Sequence, residues 1–139
     1  MDNEFIPYEQ ALALKGLGFD EPCLAWYQVG GSGLRPNATK VTLVTTHTNS
    51  NSDMVAAPLY FQAFKWIRNN KHLHYYVYRY DNAGETYYYY LIGNEWNTTD
   101  FKDGFTSYEH AQLECLKQLI NNGRNDVPGD KLSPQRNLL

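Results

Sequence analysis

Residues 74–92 read HYYVYRYDNAGETYYYYLI, two runs of β-branched and aromatic residues joined by the polar link 81–85. Runs of this composition favour β-strands, and a short link of this kind is typical of a hairpin turn. We predict one strand over 74–80 and another over 86–92, paired antiparallel. This hairpin is the element that the sequence indicates most strongly.

Three other segments share the pattern Tyr-x-x-Ala, and each begins a stretch with helical spacing of apolar residues. The pattern occurs at Tyr8 with Ala11, at Tyr60 with Ala63 and at Tyr108 with Ala111. Pro7 and Pro58 suit the first turns of the first two helices, and Thr106 with Glu109 predicts a capping box at the third. We expect the small Ala to let each helix approach a sheet closely, while the Tyr covers the edge of the same contact. A shared binding motif is the alternative interpretation.

Two further segments have strand composition, residues 23–29 and residues 40–46, on either side of the glycine-rich segment 30–33. The predicted fold class is α+β, a single domain of order α-β-β-α-β-β-α. Its sheet should be largely antiparallel, with the helices packed on one face. The domain is predicted over 1–123, with a polar loop at 47–53 and a loose polar tail at 124–139.

Composition narrows the class of protein. The chain has 139 residues, enough for one compact domain, and a formal net charge of −3. That charge provides no broad basic surface for nucleic acid. The first residues lack the blocks of a secretion signal, and no apolar run approaches the roughly 20 residues that span a bilayer. We expect a cytoplasmic protein without membrane contact, in which Cys23 and Cys115 are buried free thiols.

The tyrosines of the hairpin supply the candidate binding surface. Because strand side chains alternate, His74 shares one face with the tyrosines of the first strand at even positions. One face must pack on helices, and the other is left as an aromatic surface suited to a protein interface or to stacking a base or sugar. Cross-strand pairing that merely stabilises a half-exposed sheet is the alternative. The candidate binding residues are Tyr76, Tyr78, Tyr80, Tyr88, Tyr90, Arg79 and His74.

Signals for catalysis and metal binding are weak. The segment 30–33 lacks the Lys of a phosphate-binding loop, and Asp100 with Asp103 resembles a calcium loop without its later acidic ligand. His72 and His74 could share a strand face, yet spacing indicates no third ligand. His110 lies five residues before Cys115, close to the opposite side of the helix. We assign no catalytic residue, no metal and no cofactor, and expect a protein that is not an enzyme.

Three blocks carry a family resemblance: FIPYEQALALK with LGFDEPC over 5–23, APLYFQAFKWIR over 57–68, and SYEHAQLECLK over 107–117. They resemble a family of small uncharacterised proteins encoded by phages and prophages of Bacteroidota. The resemblance implies a viral or prophage origin and action in the bacterial cytoplasm, and it brings no catalytic residue. The segment 47–53 and the tail depart from the pattern.

The first functional hypothesis is a non-enzymatic accessory protein that binds a host or phage protein through the Tyr-rich hairpin, or through a cleft between the hairpin and the helix that begins near Pro58, with self-association as a further outcome. An alternative is a sponge that sequesters a nucleotide signal of host defence by aromatic stacking, with Arg79 or Arg68 beside the phosphate. Binding of nucleic acid belongs to the same minority class. A small enzyme of unknown class is the third hypothesis.

Overall fold

The computed structural model describes residues 4–30, 37–47, 49, 54–94 and 96–124, with the backbone alone for 29, 30 and 37–47. The chain divides into two compact units, Met1–Trp66 and Ile67–Leu139. Two three-stranded antiparallel sheets are formed where the sequence predicted one sheet. The prediction of one domain over 1–123 stays a prediction.

The first unit contains a sheet in the order β2-β1-β3. Its elements are α1 (Tyr8–Gly16), β1 (Cys23–Gly30), β2 (Asn37–His47), β3 (Met54–Ala57) and the start of α2 (Tyr60–Lys71). Pro7 precedes α1 in extended conformation, as its fixed φ allows. Phe5, Ala25 and Ala57 form a buried cluster against which Tyr27 packs, and the Tyr27 hydroxyl donates a 2.7 Å hydrogen bond to the Ile6 carbonyl. The phenol thus ties β1 to the segment before α1.

The second unit is an antiparallel meander in the order β4-β5-β6, with a helix packed on it. Its elements are β4 (His74–Asn82), β5 (Glu85–Gly93), β6 (Thr98–Phe105) and α3 (Tyr108–Arg124). Gly84, with φ of +83°, closes the β4–β5 turn. Leu116 and Leu119 of α3 are buried, as is Ile92 of β5, so the apolar stripe of α3 covers one face of this sheet.

The three Tyr-x-x-Ala segments have the positions that the sequence predicts. Their tyrosines are the first residues of α1, α2 and α3, and their alanines are fully buried. Tyr8 packs edge-on against Tyr27 of β1, and Tyr108 packs edge-on against Tyr88 of β5. Tyr60 instead stacks on Phe64 of its own helix. In each helix the pattern thus begins the first turn with Tyr and buries the Ala three residues later.

The predicted fold class is confirmed, since this is an α+β chain with antiparallel sheets on which helices pack. The predicted element order was short of two strands, β3 and β6. The capping prediction was wrong by one residue. The hydroxyl of Ser107, rather than that of Thr106, accepts a 3.1 Å hydrogen bond from a backbone amide of the first turn, that of His110. His47 ends β2 rather than beginning a loop. Most of the predicted loop 47–53 and the tail beyond Arg124 lie outside the described residues.

Candidate functional site

The pairing of β4 with β5 determines which tyrosines share a face. Tyr78 pairs with Tyr89 and Tyr80 pairs with Tyr87, whereas Arg79 pairs with Tyr88 between them. Directly paired residues of adjacent strands lie on the same face of a sheet. The face opposite α3, here termed the outer face, therefore carries the even-numbered residues of β4 and the odd-numbered residues of β5.

Six aromatic rings form a continuous row on the outer face: Tyr76, Tyr78, Tyr80, Tyr87, Tyr89 and Phe101. We term this set the ring row. Neighbouring ring centroids are 5.3–5.9 Å apart, with Tyr76 and Tyr78 nearly parallel at 13°. Three of these rings are substantially exposed, at 53% for Tyr76, 43% for Tyr78 and 58% for Phe101. A contiguous aromatic surface of this kind is a mark of an interaction site.

One end of the ring row is acidic. The Tyr80 hydroxyl donates to both carboxylate oxygens of Asp103, at 2.9 and 3.0 Å, and the Tyr87 hydroxyl lies 3.4 Å from the Glu85 carboxylate. The hydrogen bond to Asp103 raises the pKa of the Tyr80 phenol above its ordinary value, with a smaller effect from burial. The Tyr80 phenol therefore stays neutral at physiological pH and acts as a donor to the Asp103 carboxylate.

Asp103 lies on this face directly before a β-bulge in β6. Tyr90 pairs with Lys102, whereas Tyr88 pairs with Phe105, so β6 contains one residue more than β5 over this span. Gly104 is the extra residue, with φ of +95°, a conformation that favours glycine. Asp103 follows Phe101 by two residues and so shares the outer face with it, while the extra residue turns Phe105 inward, where its ring stacks on Tyr90 with centroids 5.9 Å apart.

Three of the predicted binding residues belong to the opposite face. Tyr90 is 4% exposed, and Tyr88 contacts Tyr108 of α3. Arg79 alternates with the ring row and pairs with Asp81 at 3.3 Å on the helix-covered side of β4. The seven candidate binding residues therefore lie on both faces of the hairpin, because strand alternation separates Tyr88, Tyr90 and Arg79 from the other four. Tyr76, Tyr78, Tyr80 and His74 share the outer face.

An open cleft of about 420 Å³ lies at the other end of the ring row, where β4 begins and β5 ends. His74, Tyr76 and Leu91 line it from the strands, and Trp96 and Asn97 line it from the β5–β6 connection. Sequence reasoning missed Trp96, which is 79% exposed, and missed Phe101. The signal that could have found Trp96 is a large aromatic residue placed within a polar, Asn-rich connection.

The cysteines are not reactive groups of the native chain. Both are free and buried, as predicted. Burial raises the pKa of Cys115 to about 12, and burial, with the Glu21 charge second, raises that of Cys23 to about 12. His110 lies edge-on against Phe105, with ring centroids 5.1 Å apart. Among the described residues, no group of three or more His, Cys, Asp or Glu could hold a metal ion.

No helix within the described ranges is long and apolar enough to cross a membrane. Comparison of the chain with models of known families, with curated proteins and with solved structures found no match. The resemblance to phage-encoded proteins stays a prediction.

Proposed function

We propose that this protein acts by binding another protein through the ring row, without catalysing a reaction. The observation that carries the proposal is a set of exposed, mutually stacked tyrosines on the outer face. Tyrosine supplies a large contact area at low entropic cost, and aromatic residues are enriched at protein interfaces. The rings are held by neighbouring rings and, at Tyr80, by the hydrogen bonds to Asp103, so little ordering remains for the binding step.

The charges of the outer face favour a partner with basic side chains. Asp103 and Glu85 lie at its acidic end. The cations of these strands lie elsewhere: Arg79 is paired on the other face, and Lys102 lies over the inward-pointing Phe105 ring at 5.9 Å. A phosphate stacked beside the ring row would meet carboxylates, which disfavours the nucleotide alternative. A partner patch that combines an apolar centre with Lys or Arg at one edge complements this face.

The resemblance of residues 5–23 to phage-encoded proteins directs the search for a partner to the proteins of a bacterial cell. The experiment is affinity capture from a bacterial lysate, with quantitative mass spectrometry of the bound proteins. The chain is compared with Tyr76→Ser/Tyr78→Ser and with Phe61→Ser, which removes an exposed aromatic side chain from α2.

We expect one or a few proteins to be captured by the unchanged chain and by Phe61→Ser, and to be lost with the tyrosine double variant. Captured partners should be released by salt, since the complementary charges at the rim are screened. Identical sets of partners for all three chains would refute binding through the ring row. Light scattering of the purified chain distinguishes self-association, which the double variant should abolish if a second copy is the partner.

A further inference from the structure

The cleft at the end of the outer face is preorganised by a tight turn. The Asn94 side-chain oxygen accepts the backbone amides of Trp96 and Asn97, both at 2.8 Å, and the Asn94 amide donates to the Asn97 carbonyl at 3.0 Å. Gly93 permits this close return, because a Cβ there would overlap the Asn97 carbonyl and lie 2.9 Å from the Cα of Thr98. These hydrogen bonds hold the backbone amides of Trp96 and Asn97 against Asn94.

The cleft combines aromatic surfaces with uncharged polar groups. Tyr76 and Trp96 flank it, and His74, Asn97 and Thr98 contribute polar side chains. Within the part of the chain that the structure describes, no Asp, Glu, Lys or Arg lines the cleft, and the side chains of His74, Asn97 and Trp96 make no hydrogen bond. These groups are available to a ligand. The volume of about 420 Å³ falls in the range of small-molecule sites.

We infer that this cleft binds an uncharged sugar ring, with Trp96 as the stacking surface. The axial C–H groups of a pyranose are weakly positive and pack on the negative face of an indole or phenol ring. Its hydroxyls both donate and accept hydrogen bonds, as do the Asn97 amide and the Thr98 hydroxyl. A phosphorylated ligand finds no cation in the described lining. Tyr76 stacks on Tyr78, so a nucleobase placed on Trp96 would not be held between two facing rings.

This inference goes beyond the proposed protein interface and does not depend on it, because it concerns a different class of ligand and rests on Trp96 and Asn97, which lie outside the ring row; Tyr76 alone borders both surfaces. Its test uses the purified chain with no protein partner. A failure of sugar binding would leave the capture experiment unaffected. Equally, a negative capture result would leave the sugar titration interpretable.

The test is a ¹H–¹⁵N correlation titration with methyl β-D-glucopyranoside, methyl β-D-galactopyranoside and N-acetyl-D-glucosamine, with adenosine and AMP as the competing class. The chain has three tryptophans, so three indole N–H signals report on the binding. The Trp96 signal is assigned by its disappearance in Trp96→Phe. We expect at least one sugar to shift the Trp96 indole and the Asn97 amide, while the indole of buried Trp66 stays unchanged.

Two variants make the result specific. Trp96→Ala should weaken sugar binding at least about tenfold, since the stacking surface is lost, and it should leave the fold intact because Trp96 is mostly exposed. Its binding is followed through the Asn97 amide. Phe61→Ser lies outside the cleft and should titrate like the unchanged chain.

The inference is overturned if no sugar shifts the Trp96 or Asn97 signals at up to about 50 mM, where a ligand of millimolar Kd would saturate. It is also overturned if adenosine or AMP shifts them and the sugars do not. Sugar binding that Trp96→Ala leaves unchanged would equally exclude Trp96 as the stacking surface.

Discussion

Replacing Tyr90 and Tyr76 separately by Ala tests which face of the hairpin is packed against α3. Tyr90 is 4% exposed and stacks on Phe105, whereas Tyr76 is 53% exposed. Truncating a buried aromatic residue costs about 3–5 kcal/mol of unfolding free energy, because apolar contacts are lost and a cavity remains. At Tyr76 about half of a side chain of roughly 200 Å² is buried, water fills the vacated space, and we expect a loss of about 1–2 kcal/mol.

The assay is a urea titration followed by far-UV circular dichroism, with the unfolding free energy extrapolated to water. We expect Tyr90→Ala to lose at least about 2 kcal/mol more than Tyr76→Ala, taking the cavity and transfer contributions together. Tyr90→Phe is the matched control, since it keeps the stacked ring and should retain most of the stability. Equal losses at the two positions, or a larger loss for Tyr76→Ala, would refute the assignment of the faces.

Three further predictions concern thiols, a phenol and a helix start. Cys23 and Cys115 have pKa values of about 12, so a thiol reagent at pH 8 should modify them only as the chain unfolds, and rapid labelling of the native chain would contradict their burial. Tyr80 has a raised pKa, and Asp103→Asn should lower it in an absorbance titration at the phenolate band. The contribution of Tyr80 to stability is complete below the ordinary tyrosine pKa of about 10 and is lost as pH rises through the raised value. Ser107→Ala removes the cap of α3 and should cost about 1 kcal/mol in the same urea assay, and no loss would exclude the cap.

The sequence predicted the hairpin and the helix starts because local patterns determine them. Alternating aromatic residues indicate β4 and β5, and Tyr-x-x-Ala marks the first turns of the helices. Strand β6 was missed because Asp100, Asp103 and Gly104 have the composition of a turn. Gly104 fits in the strand because it occupies the bulge. The Asp100 carboxylate accepts a 2.8 Å hydrogen bond from the Asn122 side chain of α3, a contact that sequence spacing does not reveal.

The candidate site was predicted in part. Alternation correctly grouped Tyr76, Tyr78 and Tyr80, but tyrosines occupy both faces of β5, so composition could not indicate which face α3 would cover. The fully buried Ile92 identifies the even-numbered face of β5 as the one that α3 covers. Trp96 was missed because its place in the cleft depends on the fold of the β5–β6 connection, which brings Trp96 together with His74 and Tyr76 of β4.

The bulge at Gly104 also affects how this protein resists aggregation. Strand β6 is an edge of its sheet, and an edge strand with regular spacing is a template on which a strand of another molecule can add. The extra residue interrupts that spacing, and Asp100, Lys102 and Asp103 place charges along the same strand. An intruding chain would have to match an irregular ladder and bury charge. The glycine that turns Phe105 toward the inner face thereby also protects a tyrosine-rich sheet against fibril growth from this edge.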